Sequence, residues 1–121
     1  MNQLSNINVF VAKRDSEESV VIKGVVPSSL KLQFKVLCTK QELKMSEVIE
    51  DLIEGWIQAD GESVPEFTPN LSDEDFVEVK GYVPGSIKLR FKVLCTQKRV
   101  SIRSVLYHLI NEWVHSGGSA K

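Results

Sequence analysis

The sequence predicts an α+β protein in which a two-stranded antiparallel β-ribbon lies over four helices. Three observations lead to this prediction: the chain contains the same unit twice, each copy opens with a strand pattern that ends at a proline, and each copy closes with an amphipathic helix pattern. Because a single strand can neither satisfy its backbone hydrogen bonds nor bury its apolar face, we expect the strands of the two copies to pair within the chain.

The repeat begins with KGVVP at residues 23–27 and KGYVP at residues 80–84, which lie 57 positions apart. LQFKVLCT and LRFKVLCT follow at the same offset, and no gap is needed as far as Trp56 and Trp113. The repeat divides the chain into an N-terminal arm (residues 1–19), the first copy (20–60), an acidic linker (61–75), the second copy (76–116) and a disordered tail (117–121). The two copies are expected to form one domain. The arm is expected to be flexible, and the alternative is that its apolar residues 7–11 add a strand.

The 121 residues carry a formal net charge of −1, and 42% of them are hydrophobic, which is typical of a globular domain. No apolar run approaches the ~18 residues that a membrane span requires, and the first residues lack the pattern of a signal peptide, so we expect a cytoplasmic location. Cys38 and Cys95 occupy matching positions in the two copies. Reduced, buried thiols are favoured over a disulfide, which the sequence leaves open, and two cysteines alone do not make a zinc site.

The net charge conceals two unlike halves. Residues 76–118 contain seven Lys and Arg against two Asp and Glu, whereas residues 19–61 contain five against six. The linker adds further acids, among them Asp73, Glu74 and Asp75. Because charge per segment says more about partners than the sum does, the basic second copy is the half that favours an anionic partner.

Each copy begins with a predicted strand, which is clearer in the second copy than at residues 20–26 of the first. Pro27 and Pro84 end the strands, since proline lacks the N–H that a β-ladder needs and suits the start of a helix. In the second copy the alternation places one set of residues on each face: Val77, Val79 and Val83 against Glu78, Lys80 and Tyr82.

The segment after each proline is ambiguous. Apolar residues alternate from Leu30 to Val36, which alone indicates a second strand, yet Leu30, Phe34 and Cys38 also recur at helical spacing. A helix is favoured because a proline precedes the segment and because the segment exceeds the usual length of a strand. Lysines also fall four residues apart and would share one helix face: Lys31 with Lys35, and Lys88 with Lys92.

The last element of each copy is predicted to be an amphipathic helix. Ser101 fits an N-cap in the second copy, whereas Lys44 holds the equivalent position in the first, so Ser46 is the expected cap there. Gly61 and the pair at residues 117–118 are expected to end the helices. The apolar sets are Val48, Ile49, Leu52, Ile53 and Trp56, and Val105, Leu106, Leu109, Ile110 and Trp113, with the tryptophans as core anchors.

The order of elements in each copy resembles the ribbon-helix-helix family: a strand that ends at a proline, followed by two helices. In the second copy the residues that carry the resemblance are RFKVLC at 90–95 and then Ser101, Val105 and Trp113. Within that family the likeness is to the CopG-like, Arc-like and ParG-type members, which normally dimerise. The resemblance covers both copies, which implies an intramolecular pseudo-dimer, and leaves out the arm and the linker. The sequence departs from the family at the turn between the helices, where QEL and KRV stand in place of the common glycine.

The resemblance implies that the ribbon enters the major groove of double-stranded DNA and that the start of each second helix holds a phosphate. Lys23 and Lys80 are expected to donate to guanine, and the two strands differ, so the preferred site is not a perfect palindrome. The residues implied for base contact are Val21, Lys23, Val25, Glu78, Lys80 and Tyr82. Those implied for phosphate contact are Met45, Ser46, Glu47, Ile102, Arg103 and Ser104.

No nucleophile–base pair, metal-ligand cluster or glycine-rich phosphate loop is visible, so we expect neither an enzyme nor a cofactor. The leading hypothesis is a sequence-specific DNA-binding protein, most simply a transcriptional regulator, that is a folded monomer able to associate on DNA. The alternative is a protein-interaction module, such as an antitoxin or plasmid-partition adaptor, with a protein partner on the N-terminal arm or the acidic linker.

Overall fold

The computed structural model describes residues 18–65 and 75–118. Most of the predicted N-terminal arm, most of the predicted linker and the end of the predicted tail lie outside the described residues, and Ser19, which was assigned to the arm, is the first residue of β1. The elements in chain order are β1 (Ser19–Pro27), α1 (Ser28–Lys40), α2 (Met45–Gln58), β2 (Phe76–Pro84), α3 (Gly85–Lys98) and α4 (Ile102–His115).

The two strands pair antiparallel and form a two-stranded sheet. Lys23 stands directly opposite Lys80 at the centre of the ribbon. Over residues 18–65 and 75–118, an α+β architecture with a two-stranded antiparallel sheet and four helices is therefore confirmed. Among the described residues, no helix is both long and apolar enough to cross a membrane.

The inner face of the ribbon carries the valines that the alternation assigned to it, since Val79 and Val83 are buried and Val77 is half-buried. Ile22 and Val26 are the buried residues of β1. Glycine occupies the centre of this face because a helix approaches closely: a Cβ added to Gly81 would lie 3.0 Å from Ile49 Cδ1, and one added to Gly24 would lie 3.2 Å from Leu106 Cδ1.

The ambiguous segments are helices. In α1 the buried residues are Leu30, Phe34 and Cys38, one per turn, and the equivalent residues are buried in α3. The alternation arose because Leu32 and Val36 are apolar although they face solvent. The buried residues of these segments therefore recur at the helical spacing and not at the alternating spacing of a strand.

Each first helix begins at its proline and is capped by the other copy. Pro27 and Pro84 have nearly identical backbone angles, with φ −58° and −57°. The N–H of Ser28 donates to the carbonyl of Asp75 at 3.0 Å, and the N–H of Gly85 donates to the carbonyl of Glu18 at 3.3 Å. The residue before each strand thus satisfies a free amide at the start of the opposite helix.

The second helices differ at their N-termini. Ser101 caps α4 as predicted, since its hydroxyl accepts from the N–H of Ser104 at 3.0 Å. The expectation that Ser46 caps α2 is wrong: Lys44 is the N-cap residue without a side-chain cap bond, and Ser46 lies inside the helix. Its side chain points to β2 instead, where it meets the backbone of Tyr82.

Each second helix packs on the strand of the other copy, α2 on β2 and α4 on β1. Two aromatic contacts also join the copies: Phe34 contacts Trp113, and Trp56 contacts Phe91. Each pair packs edge-to-face, with ring centroids 5.5 Å apart. Both tryptophans are buried, as expected, and the buried apolar residues of both copies form one core. Neither copy could bury its apolar surface alone.

The turn between the helices adopts the conformation that a glycine would favour. Glu42 and Arg99, at equivalent positions, have φ values of 58° and 59°. The second helices end as predicted at Gly61 and Gly118, whose N–H groups donate to the carbonyls of Trp56 and Trp113 at 2.9 Å.

Cys38 and Cys95 are free, buried thiols. Loss of solvation in the core raises the pKa of both, that of Cys95 from its ordinary 9.0 to about 11. Both thiols pack as small apolar residues of the core. Because a raised pKa leaves little thiolate at neutral pH, both are also poor nucleophiles.

Candidate nucleic-acid interface

The outer face of the ribbon carries the side chains that the sequence assigned to base contact. Lys23, Lys80, Glu78 and Tyr82 are exposed, and Tyr82 retains 58% of its accessible surface. Val21 and Val25 are half-buried. The register sets unlike residues opposite each other, Val21 facing Tyr82 and Val25 facing Glu78, so the two ends of this face differ chemically.

Lys23 and Lys80 place two like charges opposite each other at the ribbon centre. Glu78 lies diagonally across and approaches Lys23, with 3.8 Å between Nζ and Oε2. Glu78 therefore pairs across the ribbon, and its partner is Lys23 and not its neighbour Lys80. Both side chains of the pair are about half exposed, so this contact contributes little to stability and leaves Lys23 able to exchange partners.

A groove of about 670 Å³ lies where the N-terminus of α4 meets the edge of β1. We call it the α4 groove. Its described lining contains four cationic side chains and no carboxylate, and the N-terminus of α4 adds the positive end of a helix dipole. The lining residues are Val21, Ile22, Lys23, Lys88, Lys92, Ser101, Ile102 and Arg103.

Polar side chains occupy the two open edges of the ribbon. Lys88 Nζ donates to the carbonyl of Val21 at 3.0 Å on β1, and the Ser46 hydroxyl accepts from the N–H of Tyr82 at 2.9 Å on β2. These bonds satisfy edge groups that a two-stranded ribbon leaves without ladder partners. They also fix the start of α2 and the side of α3 against the ribbon.

The equivalent surface at the start of α2 is less cationic. Ser46 stands where the second copy has Arg103, and Glu78 stands on β2 where β1 has Val21. Glu47 adds a carboxylate, which accepts from the N–H of Lys44 at 3.1 Å. An anion would therefore meet a more favourable potential at α4 than at α2.

The structure brings most of the predicted phosphate-contacting residues to these helix starts, with one exception. Ile102 and Arg103 line the α4 groove, and Met45, Ser46 and Glu47 form the first turn of α2. Ser104 is only 1% exposed and its N–H already donates to Ser101, so it faces the core and supports the cap. A phosphate cannot reach it without breaking that cap.

Two groove residues were missed as site residues. Lys88 and Lys92 were noted only as a same-face pair in a helix, yet they line the α4 groove beside Lys23. The signal was their spacing, since lysines four residues apart share a helix face. The spacing did not reveal that Lys88 and Lys92 lie beside β1 and the start of α4, because such contacts between elements cannot be read from a local pattern.

Both histidines of α4 contact groups one turn away on their own helix. His108 approaches Glu112 one turn along α4 at 3.7 Å, and His115 Nδ1 lies 2.8 Å from the carbonyl of Asn111. Within residues 18–65 and 75–118 there is no group of three or more His, Cys, Asp or Glu side chains that would hold a metal ion.

A comparison with known protein families matches part of the chain. A family model described as 56B-like, Ribbon-helix-helix matches residues 28–59, which contain α1 and α2. Searches of curated proteins and of solved structures found no match. The matched segment is thus similar to the helical part of a ribbon-helix-helix unit, and the strand that precedes it pairs as such a unit requires. The two-stranded antiparallel sheet and the four helices of the described residues fit this similarity.

Proposed function

We propose that this protein is a sequence-specific double-stranded DNA-binding protein, most simply a transcriptional regulator, whose β-ribbon enters the major groove. The observation that carries the proposal is the position of Lys23 and Lys80 at the centre of an exposed ribbon that is flanked by helix N-termini. A two-stranded ribbon fits a groove about 12 Å wide, and helix starts beside it suit the flanking phosphates.

Base recognition would use the outer face of the ribbon. Lys23 and Lys80 donate to guanine O6 or N7, Glu78 accepts from cytosine N4, and Tyr82 donates or stacks. The methyl groups of Val21 and Val25 contact thymine. Because each of these valines faces an unlike residue on the other strand, the two half-sites should differ.

Phosphate contacts would fix the orientation of the protein on the duplex. At α4, Ile102 and Arg103 contribute with Lys88 and Lys92 of the same groove. At α2, the backbone amides of Met45, Ser46 and Glu47 donate to a phosphate. The side-chain carboxylate of Glu47 repels the same phosphate and so weakens this contact. The second copy is therefore the stronger phosphate clamp.

The two copies act as an intramolecular pseudo-dimer of the CopG, Arc and ParG kind. The cross-copy caps at Ser28 and Gly85 and the cross-copy aromatic pairs support this assignment, because they join one copy to the other as subunits are joined in a dimer. The DNA-binding unit is then one folded chain in the cytoplasm, without cofactor or catalysis. The arm and the acidic linker lie outside this unit.

A salt titration tests the proposal. Binding of the whole protein to mixed genomic fragments is measured by fluorescence anisotropy from about 50 to 300 mM salt, with recovery of the bound fragments for sequencing. We expect affinity to fall steeply with salt and one family of related sequences to be enriched. Absence of binding at low salt would refute the proposal and favour the protein-interaction alternative.

A further inference from the structure

Two apolar side chains of α3 face solvent at the border of the α4 groove. Leu89 is 62% exposed and Val93 is 48% exposed, and we call this pair the α3 stripe. The helical repeat places the pair on the side of α3 opposite Phe91 and Cys95, which are buried. Lys92 neighbours both stripe residues on the helix surface and lines the α4 groove. The α3 stripe is thus an apolar strip beside a cationic groove.

The chain that precedes β1 arrives at the first residue of the same helix. The carbonyl of Glu18 accepts a hydrogen bond from the N–H of Gly85 at 3.3 Å, and Gly85 is the residue at which α3 begins. Helix α1 begins at the other end of the ribbon, where its first amide meets Asp75. The N-terminal arm is therefore attached beside α3 and at the opposite end of the ribbon from the start of α1.

The arm carries an apolar segment within reach of the stripe. Residues 7–11 read INVFV, and the six residues 12–17 separate them from Glu18. A tether of this length spans up to about 20 Å when extended. Because a helix rises about 1.5 Å per residue, Leu89 lies about 6 Å and Val93 about 12 Å along α3 from Gly85. The apolar segment can therefore reach the whole stripe.

The size of the stripe favours an occupant that is tethered to it. Two apolar side chains cover far less than the ~800 Å² per partner of a standard interface between separate molecules. A segment on a short tether meets the stripe at an effective concentration in the millimolar range, so a small contact suffices. Residues 7–11 are an apolar run of the right size on such a tether.

Charge also favours this occupant. Residues 15–18, DSEE, join the arm to β1 and carry three carboxylates. Helix α3 contains four Lys and Arg residues and no acidic residue, so neither its lysines nor the positive end of its dipole has a carboxylate from its own helix. The arm places carboxylates at this end of α3. Lys88 and Lys92, which they would approach, are the groove residues proposed to hold a DNA phosphate.

We propose that residues 7–11 dock on the α3 stripe of their own chain and hold the carboxylates of residues 15–18 against the cationic side of α3, where they compete with DNA phosphate. The docking stands on the stripe, the tether and the charges, whereas the competition rests on the proposed function. Release of the arm and binding of DNA are then linked, and each favours the other to the same extent.

Cleavage by trypsin measures the docking without DNA. Lys13 and Arg14 are the only trypsin sites before β1 in this sequence, and they lie between residues 7–11 and Glu18. Trypsin requires a released arm, so the rate of cleavage follows the released fraction. Leu89→Ser with Val93→Ser should raise this rate on the order of tenfold, measured by mass spectrometry as loss of the N-terminal peptide.

The repeat supplies the matched control. Leu32 and Val36 hold the equivalent positions of α1 and are 62% and 43% exposed. Leu32→Ser with Val36→Ser makes the same chemical change on the other first helix, so this variant should be cleaved as slowly as the wild type. The wild-type rate should be equal at about 1 and about 50 μM protein, since a tethered contact does not depend on concentration.

Three results would overturn the docking. They are equal cleavage of the wild type and the α3 double variant, faster cleavage of both double variants to the same extent, and protection that grows with protein concentration. The second result would show that the arm does not distinguish the two first helices, and the third would assign the contact to a second molecule.

DNA affinity measures the competition. On a labelled duplex of about 15 base pairs at about 50 mM salt, the α3 double variant should bind between about twofold and about tenfold more tightly than the wild type, because no docked arm has to be released. The α1 double variant should bind as the wild type does. Unchanged affinity of the α3 double variant would overturn the competition. Absence of DNA binding by every protein would overturn the competition together with the proposed function, while the cleavage rates would still decide the docking.

Discussion

The Ser46 hydroxyl accepts a 2.9 Å hydrogen bond from the backbone N–H of Tyr82, so a helix of the first copy is joined to the strand of the second. The bond forms at the ribbon edge and at the start of α2, where base contact and phosphate contact would meet. Arg103 holds the equivalent position at the other end, which makes Ser46 and Arg103 the clearest difference between the two ends of the interface.

Ser46→Ala should weaken the attachment of β2 to α2. The lost bond is exposed, so water replaces it in part, and we expect the free energy of unfolding to fall by about 0.5–1 kcal/mol in urea titrations. Amide hydrogen exchange at Tyr82 should accelerate more than at Val21, the residue opposite. Equal protection in variant and wild type would show that this bond does not hold the ribbon edge.

Arg103→Ser should make the α4 end resemble the α2 end. Removing a phosphate-contacting cation should weaken binding to all sequences alike and reduce the slope of log K against log salt by about 1. Lys98→Ser, which removes the same charge at the far end of α3, is the control and should change the slope much less. A loss of affinity confined to one sequence would contradict a phosphate role.

Glycine at the helix–helix turns should stabilise the protein. Glu42 and Arg99 adopt left-handed backbone angles, which cost a residue with a side chain roughly 1 kcal/mol relative to glycine. Glu42→Gly and Arg99→Gly should each raise the free energy of unfolding by up to about 1 kcal/mol. Lys35→Gly, at an exposed position in the interior of α1, should lower it by a similar amount. Destabilisation by all three would refute this view of the turns.

Stability should fall at high pH through Cys95. Its pKa is about 11 in the folded protein and near its ordinary 9.0 when unfolded, so the folded state keeps a proton that the unfolded state releases. The contribution of the thiol is therefore fully present below about pH 9 and is lost as pH rises towards 11. Thermal unfolding of wild type and Cys95→Ala from pH 8 to 10.5 isolates this effect, because the other titrating groups are common to both. A melting temperature difference that is constant across this range would contradict it.

Local patterns in the sequence predicted the elements well. Alternation around Val79 identified the inner face of the ribbon, and the one-per-turn spacing of Phe34 and Cys38 identified a helix despite a competing alternation. The internal repeat predicted strand pairing within the chain, because it supplied the only available partner of the same kind. These features depend on neighbours within a few residues or on the repeat itself.

What the sequence did not predict depends on contacts between the copies. Ser46 was expected to cap its own helix, but the fold brings Tyr82 to its hydroxyl, which no local pattern reports. Ser104 was expected at a phosphate and is instead turned to the core by the cap from Ser101. The α4 groove combines β1 with α3 and α4, so Lys88 and Lys92 could be recognised as groove residues only after the strand was placed.

Sequence preference after loss of the two central lysines tests the central claim most directly. The measurement is enrichment of random duplexes by wild type, by Lys23→Ala with Lys80→Ala, and by Lys40→Ala with Lys98→Ala, a control that removes the same charge from the far ends of α1 and α3. We predict that the ribbon variant loses preference at guanine positions, at about 1–3 kcal/mol for each base contact, and still binds DNA without selectivity, while the control keeps the wild-type motif. An unchanged motif in the ribbon variant, or an equal loss of affinity for every sequence, would contradict base reading by the ribbon.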